Sequence, residues 1–291
     1  MKPPDFAYHR PSTIDEALDQ LGEFGGDGKV LAGGQSLVPL LALRLARPEH
    51  VIDIGRIATL AAITEDEGGL LIGALARHTD VEDSPVVRRA QPLVIAAMPH
   101  IGHRAIRNRG TACGSIVHAD PAAELPAVAL AVGAEMIVRS RAGERTVAAA
   151  DFFLGYLSSD VNDDEVLTGV RWPIWPSSAG WSVQEVSRRH GDYALVGLAA
   201  SLDVDGTGRV AAAALSFFGA ASTPVRVSEA EDLMVGEPPT AELFAEAASV
   251  VTRSLEPPDD NHASAAYRAH VAGVLTRRCL AEAHTRVGAA S

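Results

Sequence analysis

The sequence predicts a mixed α+β protein of more than one domain. Three observations carry this. The chain has 291 residues, against roughly 150 for a typical domain. Its first segment alternates helix and strand signals in the order of a small parallel unit. Its last third reads as three strands followed by three helices, the order of an antiparallel sheet with helices packed on it.

Ser12-Thr13 followed by Asp15-Glu16 reads as a helix start, with Thr13 and Glu16 at capping-box spacing. That helix runs to about Phe24 and stops at Gly25-Gly26. Lys29 to Ala32 reads as a short buried strand, and Gly33-Gly34 turns the chain. Leu37 to Leu45 reads as a helix with Pro39 tolerated in its first turn, and Val51 to Ile54 as a second strand. Farther on, Leu70 to Ala74 is strand-like and Pro121 to Val132 is an apolar helix. Glu135 to Val147 reads as a hairpin around Arg141-Ala142-Gly143, and Glu165 to Trp172 as a strand ended by Pro173. The prolines and small residues from Pro173 to Gly180 mark a junction. Beyond it, Trp181 to Val186, Val196 to Val204 and Arg209 to Phe218 read as strands, the last two joined by the hairpin signal Asp205-Gly206-Thr207-Gly208. Helical patterns follow at about 225–235, 240–254 and 263–287. The expected divisions are 1–57, 58–176 and 177–291.

Composition narrows the function. Hydrophobic residues at 47% and charged residues at 21% are those of an ordinary globular protein. A formal charge of −12 argues against a nucleic-acid partner. The cysteines, Cys113 and Cys279, are too few for a disulfide-stapled scaffold, for a cysteine-rich zinc site, or for the four thiolates of a common iron–sulfur cluster. The N-terminal residues carry no apolar signal core, and the longest apolar stretch, Leu125 to Val138, is interrupted by Glu135. The expectation is a cytoplasmic protein with no transmembrane segment.

Two glycine turns are dense in hydrogen-bond donors. In Ala32-Gly33-Gly34-Gln35-Ser36-Leu37 a strand ends, glycines allow close backbone approach and a helix begins, which suits a phosphate. Arg107 to Ser115 is the second, with Thr111 and Ser115 as hydroxyl donors, running into His118-Ala119-Asp120-Pro121-Ala122-Ala123-Glu124. Asp120 and Glu124 suit sugar or polyol hydroxyls. They equally suit an N-cap and a first-turn acid on the helix that follows. Neither turn is a Walker A loop or a Rossmann fingerprint. Together they point to a ligand with two phosphates and a polyol or sugar, a dinucleotide held without a Rossmann fold.

The order Ala-Gly-Gly-Gln-Ser-Leu (32–37), Leu-Arg-Leu-Ala-Arg-Pro (43–48) and Val-Ile-Asp-Ile (51–54) resembles the FAD-binding medium subunit of molybdenum hydroxylases, the carbon monoxide dehydrogenase and xanthine dehydrogenase families. The resemblance continues through Ile106 to Thr111, His118 to Pro126, Arg188 to Gly197 and Thr223 to Arg226, so it spans most of the chain. It implies an α+β, non-Rossmann FAD-binding domain of two subdomains (1–57 and 58–176) of the PCMH-like kind, plus a C-terminal domain (177–291) of antiparallel sheet and helices. It implies non-covalent FAD, with Ala32, Gly33, Gly34, Gln35, Ser36 and Leu37 as the first pyrophosphate loop. Thr111, Ala112, Cys113, Gly114 and Ser115 would form the second. Asp120 and Glu124 would meet ribityl or ribose hydroxyls, Ile101 and Gly102 the flavin, Leu167 the adenine region and Tyr193 the isoalloxazine. It further implies a large subunit with the molybdenum cofactor and a small subunit with two [2Fe-2S] clusters, as a dimer of heterotrimers. The chain would take electrons from those clusters and pass them to an external acceptor. A stand-alone flavoprotein oxidoreductase is the alternative, and a scaffold that has lost its flavin is a third reading.

Two departures stand out. The family commonly carries a Thr-Ile-Gly-Gly-like second loop, where this chain has Ala112-Cys113-Gly114. A left-handed backbone at Cys113 would cost about 1 kcal/mol. The first loop has Gln35 where some carbon monoxide dehydrogenases carry His. His100, His103, His118 and Asp120 lack the spacing of a metal site, and no catalytic side chain is expected.

Overall fold

The structure, a computed structural model, describes residues 2–288. The N-terminal unit runs β1 (Ala7–His9), α1 (Ile14–Phe24), β2 (Gly28–Leu31), α2 (Leu37–Ala42) and β3 (His50–Asp53). Its three strands form a parallel sheet in the order β1-β3-β2. Helix α1 starts where the capping box places it: the Thr13 hydroxyl accepts from the Glu16 N–H at 3.1 Å, and the Glu16 carboxylate accepts from the Thr13 N–H at 3.3 Å. Its apolar face buries Ala17, Leu18 and Leu21 against the sheet; each leucine so buried contributes about 1.5–3 kcal/mol. Helix α2 ends at Ala42, short of Leu45, because Arg44 takes a left-handed backbone (φ 60°). The short edge strand β1 has no counterpart in the pattern read above.

The second unit holds β4 (Ile63–Asp66), β5 (Gly69–Gly73), α3 (His78–Glu82), α4 (Pro85–Ala90), α5 (Pro92–Ala97), α6 (Arg104–Arg107), α7 (Ala112–His118) and α8 (Glu124–Val132). It continues with β6 (Glu135–Ser140), β7 (Gly143–Ala148), α9 (Ala149–Phe152), β8 (Phe153–Gly155), β9 (Ser158–Ser159) and β10 (Val166–Trp172). Five strands form an antiparallel sheet in the order β4-β5-β10-β6-β7, and β8 pairs with β9 as a separate hairpin. The hairpin β6–β7 turns at Arg141-Ala142, as expected. Two expectations are corrected. Residues 112–118 are helix, not an extended turn, and α8 begins at Glu124 with Ala123 in the cap position, so Asp120 is not its N-cap.

The C-terminal part comprises β11 (Ala179–Ser187), β12 (Ala194–Val204), β13 (Val210–Phe218), β14 (Val225–Arg226), α10 (Ser228–Met234), α11 (Ala241–Ser254) and α12 (Ala265–Thr285). The four strands form an antiparallel sheet in sequence order. It is covered on both faces: α12 packs on β11 and β12, while α8 and α5 of the second unit reach β12, β13 and β11. Ala179, Val183, Ala199 and Ala214 therefore belong to the core of the N-terminal half, and Val196, Leu198, Leu202 and Leu215 to a second core under α10–α12. Among the described residues no helix is long and apolar enough to cross a membrane.

Candidate functional site

A cleft of about 650 Å³ opens where the three units meet, within the usual size range of small-molecule sites. The first glycine turn, between β2 and α2, forms one wall. A Cβ on Gly33 would lie 2.4 Å from the Arg109 carbonyl oxygen and 2.7 Å from the Gly110 Cα, so the two turns abut backbone to backbone. Gly34 then turns the chain at φ 76°. The N–H groups of Gly34, Gln35 and Ser36 find no acceptor among the described residues, and the Ser36 hydroxyl caps nothing. The Gln35 side chain bends back to donate to the Gly33 carbonyl at 3.5 Å.

The second wall is the start of α7. A bridge between Arg77 and Thr111 holds it: the His78 N–H donates to the Gly110 carbonyl and the Ala112 N–H to the Ala76 carbonyl, each at 3.0 Å. The Thr111 hydroxyl accepts from the Gly114 N–H at 3.1 Å and caps the helix. Cys113 therefore sits in a first helical turn with an ordinary backbone, and the expected strain there is absent. Its side chain points into the core, where Sγ donates to the Ile72 carbonyl at 3.4 Å and burial pushes the thiol up to about 12. Such a thiol is inert as a nucleophile. Gly114 and Ser115 line the cleft beside Thr111. Ala112 does not reach it; it is buried behind, 2% exposed.

The remaining predicted residues converge on the same space. Leu37, Ala32, Ile101, Gly102 and Leu167 line it. Leu167 sits where the β10–β6 register shifts, a bulge that re-aims the strand. The Asp120 carboxylate accepts from the Ala122 N–H at 2.9 Å. Glu124 is 8% exposed, and burial, reinforced by Glu185 and Asp120, pushes its carboxyl up to about 8. Tyr193 is 67% exposed at the cleft mouth, within electrostatic reach of Asp120 and Glu124.

Several lining residues escaped the sequence reading. Lys29 of β2 forms no ion pair among the described residues and faces His118, whose imidazole burial holds below its ordinary value, Asp120 opposing and Lys29 adding. His78 is 4% exposed, with neither ring nitrogen hydrogen-bonded; burial, aided by Arg107, pushes it down to about 4. Leu157 and Ala119 both take left-handed backbones (φ 52° and 51°), and the Leu157 N–H donates to the Ala119 carbonyl at 3.2 Å. Each costs about 1 kcal/mol for a residue with a Cβ. The pair fastens the β8–β9 hairpin over the end of α7. Neither Ala nor Leu signals such a conformation in a sequence.

This arrangement can hold an elongated anion at the contact of the two turns, hydroxyl groups at Asp120 and Glu124, and flat rings along Ile101 and Leu167. Among the described residues no group of three His, Cys, Asp or Glu side chains gathers as a metal site.

Known proteins with this arrangement match along the whole chain. Residues 4–175 match the family described as the FAD binding domain in molybdopterin dehydrogenase, and residues 181–283 match the CO dehydrogenase flavoprotein C-terminal domain. The 6-hydroxypseudooxynicotine dehydrogenase complex subunit alpha of Paenarthrobacter nicotinovorans is 38% identical over 97% of this chain and 96% of its own length. Caffeine dehydrogenase subunit beta of a Pseudomonas species is 36% identical over 99% and 97%. Among solved structures, the carbon monoxide dehydrogenase of Hydrogenophaga pseudoflava lacking the Mo-pyranopterin moiety of its molybdenum cofactor superposes with a TM-score of 0.95 at 36% identity. That match covers 99% of this chain and 100% of the matched one.

Proposed function

The chain belongs to the FAD-binding medium-subunit family of the molybdenum hydroxylases, and from that membership we propose how its residues serve the enzyme. It is an oxidoreductase subunit that binds FAD. The stand-alone flavoprotein alternative is set aside, because the relatives matched end to end include subunits and medium chains of multi-subunit enzymes. FAD, bound without a covalent link, supplies the redox chemistry, and the protein positions it and tunes its surroundings.

The residue assignments follow the cleft. The N–H groups of Gly34, Gln35 and Ser36 and the hydroxyls of Ser36, Thr111 and Ser115 bind the pyrophosphate. Asp120 and Glu124 hold sugar or ribityl hydroxyls. Ile101 and Gly102 flank the flavin, Leu167 the adenine region, and the Tyr193 ring the isoalloxazine. Cys113 contributes backbone only, and Ala112 supports the turn from behind. We take 57 and 176 as the divisions, a reading supported by the β1-β3-β2, β4-β5-β10-β6-β7 and β11-β12-β13-β14 sheets each lying within one of the three segments.

Electrons arrive from two [2Fe-2S] clusters on a small partner subunit, after substrate oxidation at the molybdenum cofactor of a large one, and leave to an external acceptor. The assembly is a cytoplasmic dimer of heterotrimers. Substrate choice belongs to the molybdenum subunit: relatives named for caffeine, carbon monoxide and glyceraldehyde share this chain's architecture.

The observation that carries the reading is the backbone contact of the two donor turns at Gly33, on the wall of the cleft. Titrating the full chain with FAD, FMN and NAD and following flavin fluorescence or displacement tests it. Tight binding of FAD with weak binding of the other two is expected. Equal affinity for FMN would contradict a site built around a pyrophosphate.

A further inference from the structure

Arg268, near the start of α12, lies outside the lining of the cleft and is buried. Its Nη2 donates to both carboxylate oxygens of Asp260, at 2.8 and 2.7 Å. Asp260 is itself fixed by the N–H groups of His262 and Ala263, at 2.8 and 3.0 Å. Nη1 donates to two backbone carbonyls, that of Leu195 and, at 3.1 Å, that of Gly219. Leu195 sits where the β11–β12 register shifts: Val186 pairs with Val196 and Ser187 with Ala194, so Leu195 has no partner across that ladder. It lies two residues beyond Tyr193. Gly219 follows Phe218, whose pair with Gly197 ends the β12–β13 ladder. At φ 70° it comes so close that a Cβ would sit 2.7 Å from the Leu195 oxygen. The Gly219 N–H donates to the Pro121 carbonyl at 2.7 Å, and Pro121 lies in the turn that Asp120 closes onto the Ala122 N–H. One guanidinium thus ties the strand end next to Tyr193 to the turn that carries Asp120, and both residues line the cleft. Its Nε is buried without a hydrogen-bond partner. A buried cation left partly unpaired is a weak device for stability alone, whereas its planar fork suits holding several acceptors in one geometry.

We propose that Arg268 is a positioning residue that fixes Tyr193 and Asp120 relative to each other across the cleft and acts on the bound cofactor through them. The inference rests on the FAD reading above. Asp120 belongs to the second unit and Tyr193 to the C-terminal part, so no single element sets the distance between them. Contacts to a ligand's rings and hydroxyls need their side chains held to about 0.5 Å, by groups that do not themselves touch the ligand. The hydrogen bonds from Nη1 to Leu195 and Gly219, continued from Gly219 to Pro121, supply that hold, and Asp260 aims the fork. Lysine in its place would keep the charge, but an ammonium on a flexible stem cannot present the same planar set of donors to Asp260 and both carbonyls.

The test is a double-mutant cycle on FAD affinity, measured on the full chain by flavin fluorescence well below the melting temperature of every variant. The four proteins are the wild type, Arg268→Lys, Tyr193→Ala and the double variant. Arg268→Lys should weaken FAD binding about tenfold in the wild-type background and several-fold less in the Tyr193→Ala background, because the ring it positions is already gone. The visible circular dichroism of the flavin bound to Arg268→Lys should shift toward that of Tyr193→Ala. A residue that only stabilises the fold would weaken binding by the same factor in both backgrounds, and that result, or no weakening at all, would overturn the proposal. If Arg268→Lys does not fold, Asp260→Asn, which leaves the guanidinium in place without its aim, takes its corner of the cycle. A smaller loss than that expected for Arg268→Lys, reduced again by Tyr193→Ala, is then the expected result, and equal losses in the two backgrounds the contrary one. A wild-type chain that neither carries nor takes up FAD would instead overturn the FAD reading itself, before any cycle is closed.

Discussion

Gly33 fixes how closely the two donor turns approach, because the backbone of residues 109–111 occupies the place of a Cβ. Gly33→Ala should push the turns apart at a cost of about 1–3 kcal/mol. The purified variant should retain less flavin per chain than the wild type, read from its visible and ultraviolet absorbance. His78 offers a different test. Its folded-state value of about 4 lies below the ordinary 6.5. Its contribution is therefore complete above about pH 6.5 and is lost as pH falls toward 4, about 3 kcal/mol in all. Urea unfolding across that range should show His78→Gln losing less stability on acidification than the wild type. Equal losses would mean that the imidazole is not held neutral. At this scale the sequence was informative for the glycines and hydroxyls of the turns, whose residue types state their use. It was silent on His78 and Lys29, because nothing local to either residue announces a cleft assembled from distant segments.

Among the elements, α7 carries the most function for its length. Thr111 both caps it and offers a hydroxyl at the cleft. Thr111→Ala should lower stability by about 1 kcal/mol and also weaken FAD binding, while Thr111→Ser should restore both, measured by thermal melting and flavin titration. The long strands of the C-terminal sheet and helix α1 could be read from alternation, turn residues and the capping box. Helix α7 could not: Ala-Cys-Gly-Ser after its cap has no apolar period and contains a glycine. The other helices from α3 to α6 have four to six residues each. Helices that short are held by packing rather than propensity, so their sequences leave little trace. The same limit hid the three-residue strand β1.

In the whole molecule, the cleft is lined by residues of the N-terminal unit, the second unit and the C-terminal part together. The C-terminal part closes it with Gly191, Asp192 and Tyr193, while His190 approaches His103 of the second unit, ring to ring at 6.1 Å. Local patterns gave two separate polar turns; their union into one site came from the order of motifs along the chain. The relatives matched along the same order of motifs are subunits and medium chains of larger enzymes. The most direct measurement is the absorption spectrum of the gently purified native protein, with a denaturing gel of the same fraction. Flavin bands together with iron–sulfur absorbance and two co-purifying chains are the predicted result. A lone chain whose flavin bands bleach with a small substrate would contradict the account.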